Sequence, residues 1–145
     1  MARMLDTLQR SVRGEAPPPP IAVLLGFSLA DVEPGLAIIE FEATGRHANP
    51  QGTLHGGTLC ELADLAMGIA YGATLDEGES FTSLELKINF LRPVWNGRLR
   101  AEVKVVKAGR TIGLVECDVT DQGTRLVARA SSTCLTLRGE AAKGR

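Results

Sequence analysis

The sequence predicts an α+β domain in which an antiparallel β-sheet curls around one long central helix. Three observations carry that prediction. "TLCELADLAMGIAYGATL", residues 58–75, is the one long stretch with helical apolar spacing. The segments around it alternate apolar and polar residues with the period of a half-buried strand. Short turns such as "EPG", "GRT" and "DQG" join those segments, and no crossover helix follows residue 75, which argues against an all-parallel sheet.

The elements follow in order. "MARMLDTLQRSVRGE" carries an amphipathic set at Leu5, Leu8 and Val12 and reads as an N-terminal helix docked on the domain. Asp6 and Glu15 count against a transit peptide. "APPPP" at 16–20 is a stiff extended link. Residues 1–20 thus form a helix and Pro-rich linker, 21–138 the folded domain, and 139–145 a disordered tail. "IAVLLG" predicts a short helical turn ending at Gly26, with a strand from Phe27. "LAIIEFEAT" completes a hairpin with that strand. The Gly-rich segment 45–57 is a loop.

In the long helix Leu59, Leu62, Ala63, Ala66, Ala70 and Ala73 share one face of mostly small residues. "FTSLELKINFL" then alternates, placing Leu84, Leu86, Ile88 and Phe90 on one face and Ser83, Glu85, Lys87 and Asn89 on the other. "RLRAEVKVVKA", "IGLVECDVT" and "TRLVARASSTCLTL" are the last three strands.

Composition excludes several functions. The 145 residues carry 16 Lys+Arg and 17 Asp+Glu, a net charge of −1, so no global field draws nucleic acid or anionic lipid. Aromatic content is 4%, thin for a module that stacks bases. No apolar run reaches the roughly 18 residues of a membrane span. Cys60, Cys117 and Cys134 lie far apart and make no zinc spacing with His47 and His55, so they read as reduced thiols in a cytoplasmic protein.

The informative stretch is "NPQGTLHGGTLCELAD", Asn49 to Asp64. It feeds a loop through His55-Gly56-Gly57 into the helix and places a carboxylate, Asp64, about two turns in. Together with "SLELKINFLRP", it resembles the hotdog-fold acyl-CoA thioesterases, in the branch of phenylacetate-pathway and 4-hydroxybenzoyl-CoA thioesterases. The resemblance spans residues 21–137 and rests on HGG nine residues before an in-helix carboxylate, with an Asn six residues before the His.

The resemblance implies roles. Asp64 sits where the family keeps its catalytic Asp or Glu. Gly56 sits where a backbone N–H polarises the thioester carbonyl. Asn49 matches a polar residue that positions water or nucleophile, and Ser83 a hydroxyl that holds the water. Where one relative carries a Thr one turn after its carboxylate, this chain has Gly68, which favours the Asp and Ser arrangement.

The chemistry agrees. Thioester hydrolysis needs a donor where the oxyanion forms and a base or nucleophile beside the carbonyl carbon. A helix start offers unpaired N–H groups, and glycines there let substrate approach. A carboxylate in an apolar helix is costly unless paired or used. Glu61, nearer the helix start, reads instead as a dipole partner. His55 and Gly57 read as shaping the turn and positioning substrate. Arg92 and the "KAGRT" turn, with Lys107, Gly109 and Arg110, are candidates for the phosphates of coenzyme A.

The expected activity is hydrolysis of acyl-CoA to acid and CoA, by a homodimer or a tetramer built as a dimer of dimers, with no metal and no cofactor beyond the CoA of the substrate. A non-catalytic acyl-CoA sensor would have no need of Asp64, and no helix-turn-helix pattern accompanies the domain. A hydratase or dehydratase would need a His paired with an acid, and His55 lies in a glycine setting.

Overall fold

The computed structural model describes residues 3–145. Its elements are α1 (Met4–Val12), α2 (Pro20–Leu25), β1 (Phe27–Glu33), β2 (Leu36–Ala43), a 3-10 turn (Gly45–His47), α3 (Gly56–Gly72), β3 (Ser80–Phe90), β4 (Gly97–Ala108), β5 (Ile112–Asp121), β6 (Leu126–Leu137) and a 3-10 turn (Gly139–Ala142). The last of these falls within 139–145, which the sequence reads as disordered.

The six strands form one antiparallel sheet in the order β1-β2-β4-β5-β6-β3. Leaving α3, the chain crosses to the far edge as β3 and fills the middle with the β4–β5–β6 meander. The concave face wraps α3, whose Leu59, Leu62, Ala63, Ala66, Met67, Ile69, Ala70 and Tyr71 are buried. The small-residue face lets α3 sit close to the strands. Tyr71 is fully buried, and its hydroxyl lies 2.7 Å from Thr136 Oγ1, so the burial leaves no polar atom unpaired.

α3 begins at Gly56, two residues earlier than the apolar pattern alone marks, and ends at Gly72. Pro20 belongs to α2 rather than the linker, at a first-turn position where its missing N–H costs nothing. α1 lays Leu5, Leu8 and Val12 against the core, and Arg3 Nη2 donates to Leu75 O at 3.3 Å.

β3 departs from simple alternation. Ser83 pairs with Cys134 and Glu85 with Thr133, so Leu84 is an extra residue on β3, a β-bulge. The bulge moves Ser83 out of the set with Glu85, Lys87 and Asn89. Ser83 and Phe81 instead share the helix-facing side with Leu86, Ile88 and Phe90, opposite the buried Cys134 and Thr136. Leu84 leaves that side and is 54% exposed.

Candidate active site

α3 starts abruptly. His55 is its N-cap, extended at φ −64°, ψ 130°, and no side chain caps the helix. The N–H groups of Gly56 and Gly57 lie in the first turn, where no preceding carbonyl can accept them. They point outward at the positive end of the helix dipole. A Cβ on Gly56 would come 3.1 Å from Phe90 Cζ, and one on Gly57 would come 3.1 Å from His55 Cδ2 and Nε2. The two glycines therefore admit two rings beside the exposed N–H groups.

The loop ahead of the helix is held by side-chain bonds. Asn49 Oδ1 accepts from Gln51 N at 3.0 Å and Thr53 N at 3.1 Å. Asn49 Nδ2 donates to Thr53 Oγ1 at 2.8 Å. In the isolated chain Asn49 thus closes its own loop. His47 is not the plain surface residue its loop position suggests. Its Nδ1 accepts from Thr44 N at 3.1 Å, so Nε2 carries the proton and donates to Leu25 O, also at 3.1 Å. Its ring stands edge-on to Phe41 at 4.7 Å. The ring that bonds across the loop is that of His47, while His55 joins the loop through its backbone, N–H to His47 O at 2.9 Å.

Asp64 lies on the side of α3 that looks along β3. Its side chain is solvent-exposed in the isolated chain, yet desolvation by the surrounding protein pushes its carboxyl above the ordinary Asp value. Its charge is felt by Cys60, one turn earlier, and by Cys134 across on β6. Ser83 stands opposite Cys134 in the pairing of β3 with β6. Ser83 therefore lies on the helix-facing side of β3, the strand along which α3 carries Asp64. One turn beyond Asp64 a Cβ on Gly68 would come 3.2 Å from Phe81 Cζ, so the Phe81 ring takes the space a larger residue at 68 would fill.

These contacts give the direction of β3. Phe90 lies at the Gly56 end of α3 and Phe81 at the Gly68 end, so β3 runs antiparallel along α3. The structure separates the CoA candidates accordingly. Arg92 follows Phe90 at the Gly56 end. Lys107, Gly109 and Arg110 lie at the other end, where Tyr71 packs on Gly113 and Arg110 O accepts from Arg138 Nη2. Gly109 is tied into its turn, its N–H donating to Ile112 O at 2.9 Å. Among the described residues no group of three or more His, Cys, Asp or Glu is placed to hold a metal ion, and no helix is long and apolar enough to cross a membrane.

The sequence pattern missed the two rings, Phe81 and Phe90, that pack against the glycines of α3. Their signal was an aromatic at each end of one alternating strand.

A long helix with an uncapped start and a carboxylate two turns in, set against a six-stranded antiparallel sheet, is the hotdog architecture. Residues 51–128 match the Thioesterase superfamily, and the chain belongs to that family of thioester hydrolases. It is 32% identical over 101 residues to the proofreading thioesterase EntH of Klebsiella pneumoniae, covering 70% of this chain and 74% of that one. It is 28% identical over 103 residues to the 1,4-dihydroxy-2-naphthoyl-CoA hydrolase of Listeria monocytogenes, covering 71% and 84%. Among solved structures, the phenylacetic acid degradation-related protein of Ralstonia eutropha superposes with a TM-score of 0.81 at 34% identity, over 89% of this chain and 98% of that one.

Proposed function

We propose that the protein hydrolyses acyl-CoA thioesters at a site shared between two copies of the chain. One observation carries the sharing. Gly56 and Asp64 lie on one helix, eight residues apart, which is about 12 Å along the axis. An oxyanion donor and a group attacking the same carbonyl can be only about 7 Å apart, each within about 3 Å of its target atom. The N-terminal lean of the Asp64 side chain shortens the gap without closing it. One copy's Gly56 N–H therefore serves the other copy's Asp64.

The topology supports such a pair. β3 is an edge strand with unpaired backbone groups and exposed Leu84 and Phe90. Pairing it with itself about a two-fold axis sets two β3 strands antiparallel. The Gly56 end of one α3 then approaches the middle of the other, and Arg92 of one copy approaches Lys107 and Arg110 of its neighbour. That arrangement gathers the separated basic residues into one site for CoA phosphates. Exposed Leu36, Ile112 and Leu114, on the sheet face away from α3, suit the second contact of a tetramer. The three free cysteines suit a reducing, cytoplasmic setting.

In the reaction Asp64 either takes a proton from water as that water attacks the carbonyl carbon, or attacks it directly. The C–O bond forms as the carbonyl electrons move to oxygen, to which the Gly56 N–H donates a hydrogen bond. Collapse restores the carbonyl and breaks the C–S bond. CoA leaves as thiolate and is protonated; in the water route the acid remains, and in the direct route the acyl group stays on Asp64 as a mixed anhydride, which water then cleaves to the acid and the free carboxylate.

Thiol release over a panel of aryl and alkyl acyl-CoAs tests the reading. Wild type releases CoA from at least one class, and Asp64→Asn loses nearly all of that rate while its circular dichroism is unchanged. Turnover by Asp64→Asn near wild type would remove Asp64 from the chemistry and leave Glu61 as the next carboxylate.

A further inference from the structure

In the loop from Thr44 to His55, His47 alone among the described residues sends a side-chain hydrogen bond outside the loop. Its Nε2 donates to Leu25 O at 3.1 Å, a carbonyl in the last turn of α2 that no helix N–H can reach. Its Nδ1 accepts from Thr44 N at 3.1 Å. The ring stands edge-on to Phe41, which is itself edge-on to Phe27 at 5.0 Å, and both phenyl rings are buried. The His47 ring is thus fixed against the end of α2 and, through Phe41, against the β1–β2 hairpin.

The main chain of His47 carries that anchorage to the start of α3. His47 O accepts from His55 N–H at 2.9 Å, and His55 is the N-cap residue directly ahead of Gly56. Asn49 does not do this, since its three side-chain bonds stay within residues 49–53. Leu54 secures the loop at a second point, its N–H donating to Val94 O at 2.6 Å. No side chain caps α3, so the placing of its first N–H groups depends on these two ties.

Building on the thioesterase reading above, we infer that His47 is a positioning residue for the oxyanion donor, holding the Gly56 N–H on the thioester oxygen through His55. Such a donor works at about 2.7–3.1 Å from its target, so a loop that drifts by about 1 Å loses most of the effect. The geometry also fixes the form of the ring. Nδ1 must be bare to accept from Thr44 N–H, and Nε2 must carry the proton to donate to Leu25 O. A side chain with only one of these functions holds only one end.

The test is a double-mutant cycle read as thiol release. His47→Ala is expected to lower kcat about 10- to 100-fold with KM little changed. In a Gly56→Pro background, which has no N–H to position, the same change is expected to do nothing further. His47→Asn keeps an acceptor near the place of Nδ1 and His47→Gln a donor near the place of Nε2, and each is expected to recover part of the lost kcat. An equal loss from His47→Ala with and without the Gly56 N–H would mark a purely structural role and overturn the inference, as would a wild-type kcat in His47→Ala or in Gly56→Pro. If His47→Ala does not fold, His47→Asn and His47→Gln carry the same comparison. Two readouts are independent of catalysis. Nitrogen NMR of the wild-type ring is expected to show the proton on Nε2, and a proton on Nδ1 overturns the inference. Amide exchange at His55 is expected to quicken in His47→Ala, and unchanged exchange overturns it. A wild type that hydrolyses no acyl-CoA instead overturns the thioesterase reading, while exchange still decides whether His47 holds the start of α3.

Discussion

Phe90 lays its ring against the α-carbon of Gly56, with Cζ 3.1 Å from where a Cβ would stand. The ring and the N–H of Gly56 thus flank the same opening at the start of α3. Gly56→Pro isolates the donor. Proline suits the first helical position, and His55 already has the extended conformation that precedes proline. Phe90, 54% exposed, has room to yield to the new ring. The variant is expected to fold and to lose about 100- to 1,000-fold in kcat, as for other oxyanion donors. A kcat within a few fold of wild type would show that another group holds the oxyanion.

The proposed sharing of the site rests on the spacing of Gly56 and Asp64. Each of Asp64→Asn and Gly56→Pro is expected to inactivate both sites of its own homodimer. A hybrid holds one site with both defects and one with neither. Mixing the two inactive proteins under conditions of subunit exchange is expected to restore up to about half the wild-type activity per hybrid, because one of its two sites is intact. Mass spectrometry verifies the hybrids, and verified hybrids without activity would refute sharing.

The raised carboxyl of Asp64 sets two pH dependences. As the base or nucleophile it must be ionised, so kcat/KM falls with acid at a pH above the ordinary Asp value of 3.8. The native state also holds this proton to higher pH than the unfolded chain does. Stability therefore declines as pH rises from the ordinary value through the native one. Asp64→Asn removes that decline, so its melting temperature at pH 7 should exceed that of wild type. The advantage should shrink toward pH 3.5. A lower melting temperature at pH 7 would mean that the carboxylate stabilises the fold.

Gly68 and Phe81 account for the missing hydroxyl one turn after Asp64. A Cβ at 68 would come 3.2 Å from Phe81 Cζ, and that ring is itself held edge-on to Tyr71 at 5.6 Å. Gly68→Thr is expected to destabilise the protein by about 1–2 kcal/mol, overpacking outweighing the gain in helix propensity. Denaturant unfolding measures this. A stabilised variant would show that Phe81 moves freely.

The basic turn predicts salt sensitivity. Lys107→Ala and Arg110→Ala are each expected to raise KM for CoA thioesters severalfold, with kcat little changed. The effect should fade in high salt, which screens charge-assisted phosphate contacts. An unchanged KM in both would leave the turn a purely structural hairpin.

The sequence by itself determined the six strands, the central helix and the placing of "HGG" at its start, because these depend on local signals. Apolar periodicity, turn residues and uncapped glycines act within a few positions of one another. It did not determine which way Ser83 faces. Strict alternation puts Ser83 with Glu85 and Lys87, and only the pairing of β3 with β6 reveals the extra residue at Leu84. A bulge is a mismatch between two strands, so neither strand alone records it. His47 is similar: its value depends on Leu25 O and Phe41, both distant in sequence. The separation of Gly56 from Asp64 was countable from residue numbers, but it became an argument for a shared site only once both lay on one continuous helix beside an open sheet edge. Long-range pairing decided what the linear pattern left degenerate, since burial on a curled sheet is a property of neighbours rather than of sequence spacing.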